Sequence, residues 1–206
     1  MEIINKKVAG IILAAGSGSR MGCLKQLLPF KGRSILEHVI GHARKSHLSE
    51  IILVLGHGAN LIQQTIDPAC YLNPGPVVKI IVNREYNKGQ SSSVKKGLEN
   101  ISEDCDGAMF ILGDQPLVTH SIIDLLVSAF ESTGLSMVIP YCDGKRGNPV
   151  IIGKSLFFRI RALTGDTGPR VLFKEFKDEI LAASVKDNAV LKDIDTYDDY
   201  NELIAR

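Results

Sequence analysis

Tryptophan is missing from the 206 residues, aromatic residues make up only 6%, and there are four cysteines. Cys23, Cys70, Cys105 and Cys142 lie more than thirty residues apart, so no C-x-x-C pair points to zinc or thiol redox chemistry, and reduced structural thiols are expected. Charge of one sign is lacking too. Twenty-four basic residues face 23 acidic ones and no Lys/Arg run exceeds two, whereas nucleic acid would want a clustered basic stripe; no nucleic-acid partner is expected. The apolar runs at 8–16 and 51–56 are less than half the ~20 residues that span a bilayer. Met1 and Glu2 open no charged-then-apolar leader. The reading is a cytoplasmic protein with no membrane contact. Repeats, low-complexity tracts and linkers are absent, so one domain over 1–206 is expected, with enough chain to bury a core without staples.

What is present is alternation. β-branched apolar runs at 8–13, 51–55, 77–82, 108–112 and 137–140 read as buried strands. Between them, Ile35, Leu36, Val39, Ile40 and Ala43 share one helical face behind a Ser34/Glu37 capping box, and a second helix covers 122–130. This order predicts right-handed crossovers and a doubly wound three-layer α/β/α sandwich on a mostly parallel sheet. Beyond about 141 the pattern loosens into a turn at 144–147, a strand at 148–152, a mainly helical stretch at 155–176 and a strand at 181–185. A Thr196/Asp199 capping box opens a last helix at 197–204. Ligands of such sheets bind beyond the carboxyl ends of the strands, which directs attention to the loops after Leu13, Leu55, Val82 and Leu112.

The first of these loops holds Gly16, Gly18 and Gly22. Their spacing, G-x-G-x-x-x-G, misses the dinucleotide fingerprint by one residue, and no Lys-Ser/Thr follows as a P-loop demands. What remains is a turn of little bulk whose amides can approach a polyphosphate, with Arg20 and Lys25 to offset its charge. A tight strand-to-helix turn with solvated charges is the alternative. Asp114 ends the 108–112 strand at the crevice, where a carboxylate can hold Mg²⁺. Ser91, Ser92 and Ser93 precede a helix running to about Asn100, and either cap it or meet a base or anion. Arg170 offers a planar fork of donors to a phosphate, or is a solvated helix residue. His38 and His42, four apart, lack the Glu of a zinc motif and read as surface or packing residues.

Leu13-Ala14-Ala15-Gly16 with Ser17, Ser19-Arg20-Met21-Gly22, Lys25, Leu27-Leu28-Pro29 and Gly32 resembles the opening signature of the MobA-like nucleotidyltransferases, and within them the molybdenum cofactor cytidylyltransferases. Further blocks follow in order: Gly89 to Val94, Gly113-Asp114-Gln115-Pro116, Gly147-Asn148-Pro149, Leu163 to Arg170, and Asp193 to Thr196. Departures are few; Pro169 stands where a small residue such as Ala is expected.

The resemblance implies a nucleotide-diphospho-sugar transferase-like fold, with the part to about 115 holding the nucleotide and 116–206 the acceptor. It implies that Leu13, Ala14, Ala15, Gly16, Gly18, Ser19, Arg20 and Lys25 wrap the triphosphate. Gly89, Ser92 and Ser93 would lie beside the base, and Gln115, Asn148, Pro149 and Arg170 would meet the acceptor. Arg20, Lys25 and Asp114 are the expected catalytic residues. Asp114 and Asp195 are the expected Mg²⁺ ligands, with Asp193 second to Asp195; helix capping is the alternative for both late aspartates. The implied reaction moves CMP from CTP to a molybdopterin-type acceptor, Ala15 favouring cytidine where similar guanylyltransferases carry Gly. The product would serve a molybdenum hydroxylase apoenzyme such as xanthine dehydrogenase. Nucleotidyl transfer to a sugar or polyol phosphate, and a non-catalytic maturation chaperone, stand as the other readings.

Overall fold

The structure, a computed structural model, describes residues 6–18, 21–72 and 75–205. Its first half runs β1 (Val8–Ala14), β2 (Pro29–Phe30), β3 (Arg33–Ser34), α1 (Ile35–Arg44), β4 (Glu50–Leu55), α2 (Ala59–Thr65), α3 (Ala69–Leu72), β5 (Val78–Val82), α4 (Gln90–Leu98) and β6 (Gly107–Leu112). Then come α5 (His120–Ser132), β7 (Met137–Cys142), β8 (Lys145–Arg146), β9 (Val150–Gly153), α6 (Phe157–Arg161), α7 (Leu172–Glu175), β10 (Ile180–Ser184) and α8 (Tyr197–Ile204).

One sheet takes the order β10-β7-β9-β6-β1-β4-β5, with β8 attached to β7; β2 and β3 form a separate hairpin. β1 pairs in parallel with β4 and β6, and β5 continues in parallel from β4. The alternation of each strand decides what lies on either face. Ile12, Leu53, Leu55, Met109 and Ile111 meet Leu36, Val39 and Ile40 of α1 and Ile123, Leu126 and Phe130 of α5. Ile11, Ile52, Val54, Ala108 and Phe110 meet Val94 and Leu98 of α4, Phe157 and Ile160 of α6, and Leu172 and Phe173 of α7. Strands covered on both sides have no polar face, so they read as continuous apolar runs. Each buried Leu, Ile, Val, Phe or Met side chain among them contributes about 1.5–3 kcal/mol. This is the doubly wound sandwich that the strand–helix alternation predicts.

Both expected capping boxes form. Ser34 Oγ accepts from the Glu37 amide at 3.3 Å while the Glu37 carboxylate accepts from the Ser34 amide at 2.6 Å. Thr196 and Asp199 do the same at 3.2 and 2.8 Å. Elsewhere the chain departs from expectation. β9 runs antiparallel to both β6 and β7. Asp143 and Gly144, both at positive φ (48° and 73°), turn β7 back on β8, and so short a connection cannot cross over to a parallel strand. The stretch at 155–176 is mainly helical as expected, in two pieces, α6 and α7, separated by Gly165 at φ +63° and by Gly168-Pro169, where Pro169 opens a one-turn segment. α4 begins at Gln90, so Ser91–Ser93 lie inside its first turn and not before it. α2, α3 and the β2–β3 hairpin lack a periodic apolar stripe long enough to foretell them; in α2 only Ala59 and Ile62 are buried.

A third, smaller cluster of Met21, Phe30, Ile35, Ile194 and Leu203 lays the C-terminal segment beside the first loop. Tyr200 donates its hydroxyl to the Pro29 carbonyl at 2.7 Å, and the Ile194 amide bonds the Asp114 carbonyl at 3.2 Å. The late aspartates are thereby held next to the end of β6. Among the described residues no helix is long and apolar enough to cross a membrane.

Candidate functional site

The loops after β1, β4, β5 and β6 surround a cleft of about 650 Å³ lined by Leu13, Ala15, Gly16, Ser17, Lys25, Gln26, His57, Tyr86, Asn87, Gly89, Gln90, Ser93, Leu112, Gly113, Asp114 and Asp166. The four parallel strands end together, so their loops must converge there.

Gly16 lines this cleft and Gly18 does not. Gly18 sits at φ +59°, and a Cβ there would stand 2.3 Å from the Cys23 carbonyl oxygen, so the fold itself demands glycine. A Cβ on Gly16 would meet nothing within 4 Å; what it would enter is the cleft. Among the described residues no hydrogen bond ties the Gly16 or Ser17 amide to protein, which leaves two donors at the cleft's edge. Gln26, 2% exposed, braces this turn from beneath by donating its amide to the Ala14 and Gly16 carbonyls, each at 3.3 Å, while its Oε1 has no partner. Ser19 and Arg20 lie outside the described residues.

Lys25 bridges two carboxylates, reaching Asp114 Oδ2 at 2.5 Å and Asp195 Oδ1 at 2.8 Å. The Lys25 and Asp114 side chains are 14% and 17% exposed, Asp195 39%. Asp114 Oδ1 is buried with no partner. Burial pushes the Asp114 carboxyl above its ordinary 3.8; Lys25 opposes this, and the nearby charges of Asp193 and Asp195 add to it. Burial also works against the Lys25 ammonium, yet the carboxylates outweigh it and hold its pKa above the ordinary 10.5.

The first turn of α4 contributes Gly89, Gln90 and Ser93 to the cleft wall, but not Ser92. The Ser92 hydroxyl shares its one proton between the carbonyls of Gly89 (2.8 Å) and Glu85 (3.0 Å) and accepts from the buried Asn83 side-chain amide, which also reaches Ser93 Oγ at 3.0 Å. Asn83 thus holds both serines. His57 and Tyr86 meet edge to face with ring centres 5.9 Å apart across the cleft floor, and the His57 amide bonds the Ala15 carbonyl at 3.2 Å.

A second cleft of about 340 Å³ adjoins the first and shares Leu13, Gln90, Leu112 and Asp166 with it. Asn148, Thr167, Gly168, Arg170 and Asp193 line it. Asn148 is 6% exposed, bonded through its amide to the Val190 carbonyl at 2.9 Å, and joined to Pro149 by a cis peptide. Gln115 is buried at 2% and lines neither cleft, nor does Pro149. Away from both clefts, His38 Nε2 lies 2.7 Å from the Phe30 carbonyl and His42 stacks on His120 with ring centres 6.1 Å apart.

Residues 10–180 match the model of the MobA-like NTP transferase domain. The chain belongs to the MobA-like NTP transferase family. Molybdenum cofactor cytidylyltransferase of Escherichia coli K12 is 28% identical over 191 residues, 92% of each chain. Nicotine blue oxidoreductase of Paenarthrobacter nicotinovorans is 27% identical over 209 residues, 96% of each. A crystal structure of Rv0371c from Mycobacterium tuberculosis H37Rv superposes with a TM-score of 0.83 at 24% identity, covering 98% of each chain.

In this MobA-like domain the geometry gathers Leu13, Ala15, Gly16, Lys25, Gly89, Ser93 and Asp114 around one cleft and Asn148 and Arg170 around the next. Ala14 is buried at the end of β1. Of the two late aspartates, Asp195 meets Lys25 and Asp193 lines the second cleft. Sequence reasoning missed Gln26, Asn83, His57, Tyr86 and Asp166. Gln26 adjoins Lys25 and could have been found as its polar neighbour at the edge of the apolar Leu27-Leu28 pair.

Proposed function

We propose that this chain transfers CMP from CTP to the phosphate of a molybdopterin-type acceptor and releases pyrophosphate. The observation that carries this reading is the convergence of Asp114 and Asp195 on the Lys25 ammonium, with an unpartnered buried carboxylate oxygen, at the edge of a glycine-lined cleft. Family membership and the E. coli relative's name support nucleotidyl transfer, and Ala15 supports cytidine as the base.

The residues fit a divalent cation. Mg²⁺ takes hard oxygen ligands and usually one or two protein carboxylates. Asp114 and Asp195 both face one point that already holds a positive charge, and burial of Asp114 disfavours its carboxylate until more positive charge arrives. These two would hold Mg²⁺, which when bound neutralises charge on the triphosphate and the departing pyrophosphate.

The chain's own groups do the rest by positioning. The Gly16 and Ser17 amides donate to phosphate oxygens, Lys25 adds charge at the same edge, and the first turn of α4 borders the base. Arg170 and Asn148 present the acceptor. An acceptor monoester is already largely ionised at neutral pH, so its oxygen attacks the α-phosphorus in line as the bond to pyrophosphate breaks. No general base is needed. The product would pass to a cytoplasmic molybdenum hydroxylase apoenzyme.

The test supplies purified protein, Mg²⁺ and a molybdopterin-type acceptor with each nucleoside triphosphate in turn and measures pyrophosphate. CTP turnover is expected to dominate. Equal turnover with GTP would remove the argument from Ala15. Turnover only with sugar or polyol phosphates would replace the acceptor, and tight hydroxylase binding without turnover would replace the enzyme by a chaperone.

A further inference from the structure

Two loops far apart in sequence clasp each other at the N-terminus of α4. The Gln90 amide donates to Asp166 Oδ1 at 3.1 Å, and the Ser91 amide donates to the Gly165 carbonyl at 3.2 Å. The opening amides of a helix have no partner within it; here the later half of the chain supplies acceptors for two of them. Glycine on both sides permits the approach. A Cβ on Gly89 would stand 2.5 Å from the Gly165 carbonyl, and one on Gly168 would stand 2.6 Å from Gln90 Oε1. Thr167 braces the loop by donating its hydroxyl to the Thr164 carbonyl at 2.7 Å. Asp166 and Gln90 each line both clefts, so the clasp is their common wall.

We propose that Asp166 is a positioning residue that couples the two clefts, setting the acceptor-facing segment 167–170 in register with the bound nucleotide. This rests on the assignment of the larger cleft to a nucleoside triphosphate and the smaller one to the acceptor. A nucleotide against Gly89 and Ser93 fixes the first turn of α4. Through Asp166 and Gly165 that turn fixes the loop that carries Arg170 into the smaller cleft. Such coupling is reciprocal, so each substrate strengthens the binding of the other. Were Asp166 only a helix cap, its loss would lower stability without unlinking the two sites.

Wild type, Asp166→Asn and Asp166→Ala are compared by amide hydrogen exchange, with and without each ribonucleoside triphosphate and Mg²⁺, and by steady-state kinetics. In wild type, nucleotide is expected to slow exchange in both 89–93 and 163–170. In Asp166→Ala it slows exchange in 89–93 alone, and the acceptor KM rises about fivefold or more, by a larger factor than kcat falls. Asp166→Asn, which keeps an acceptor oxygen for the Gln90 amide, restores most of the linkage. Protection of 163–170 that survives in Asp166→Ala, or an unchanged acceptor KM, overturns the coupling. Nucleotide binding to wild type that leaves 163–170 unprotected overturns the coupling alone. Failure of every triphosphate to bind overturns the functional reading and this inference with it.

Discussion

Glu50 and Asp114 are both shielded carboxylates paired with lysine, and they stand at opposite ends of the same sheet. Glu50 opens β4, 10% exposed at its side chain; Asp114 follows β6, 17% exposed. Every oxygen of Glu50 is engaged: Oε1 accepts from the Ser102 amide at 2.5 Å and the Cys105 thiol at 3.5 Å, and Oε2 from Lys79 at 3.3 Å. Asp114 has Lys25 on one oxygen and nothing on the other. Their pKa values move accordingly. Burial acts to raise both, but the Ser102 amide and Lys79 hold Glu50 below its ordinary 4.5, while Asp114 is left above 3.8. A carboxylate whose bonds are complete serves the fold, and one left half-satisfied at the strands' carboxyl ends keeps an acceptor oxygen open to the ligand proposed for this cleft.

The sharpest way to break this contrast is to neutralise each acid. Asp114→Asn is expected to lower kcat by about 10²–10⁴-fold, the range over which a lost charge-stabilising group is felt. Its thermal midpoint should hold or rise, because burial disfavours the charge that is removed. Glu50→Gln should cost about 1–2 kcal/mol of stability by urea titration, from a lost charge-assisted bond, and leave kcat unchanged. Reversal of the two outcomes would end the division between the sheet's ends. Lys25→Met extends the test to the cation. It leaves two carboxylates facing each other and is expected to destabilise the fold by about 1–3 kcal/mol, less than a fully buried pair because Asp195 is partly exposed. Added Mg²⁺ should then raise the melting temperature of Lys25→Met more than that of wild type, since it binds where the ammonium was. An equal response would show that Lys25 and Mg²⁺ do not compete for the carboxylates, and no response in either protein would take the metal away from them.

The two ends also differ in how far the sequence discloses them. Strands buried on both faces announce themselves as apolar runs, and the Thr196/Asp199 box marks the start of α8 at Tyr197. Asp114 is legible because it lies just past the end of β6, and Lys25 because it follows the glycine-rich turn. The direction of β9 is not, since an apolar strand of four residues looks the same in either sense. Nor are the roles of Gln26 and Asn83, which arise from carbonyls and hydroxyls that only the folded chain brings near. Asp166 lies 76 residues from the helix it caps, and no local pattern records that distance. Ser92 reads like a ligand-binding serine because its sequence neighbourhood does not show that Asn83, Glu85 and Gly89 already engage it.

Within the turn itself the same contrast recurs between two glycines. Gly18→Ala forces a side chain into φ +59° and against the Cys23 carbonyl, and is expected to cost about 1–2 kcal/mol or more in stability. Gly16→Ala meets no protein atom within 4 Å, so its denaturation midpoint should match wild type within about 0.5 kcal/mol. Its triphosphate affinity should fall by about tenfold, roughly 1.4 kcal/mol of lost binding. Isothermal titration of both variants separates the effects. A Gly16→Ala protein that binds nucleotide as wild type does would take this glycine out of the site.

The smallest expected effect is the acid dependence of Glu50. Its folded pKa lies below 4.5, so its contribution to stability is complete above that value and is lost as pH falls through the depressed one. Glu37 and Asp199 are also depressed, so acid destabilises the protein through several groups at once, and only a difference isolates Glu50. The stability gap between wild type and Glu50→Gln, measured by urea titration, should stay constant from pH 7 to about 5 and then narrow toward pH 3. Asp114, displaced in the opposite direction, favours the protonated form as acid is added and cannot produce this narrowing. A gap that persists undiminished at pH 3 would mean that the Ser102 and Lys79 bonds do not stabilise the charged form, and the two ends of the sheet would no longer differ in the way their carboxylates are held.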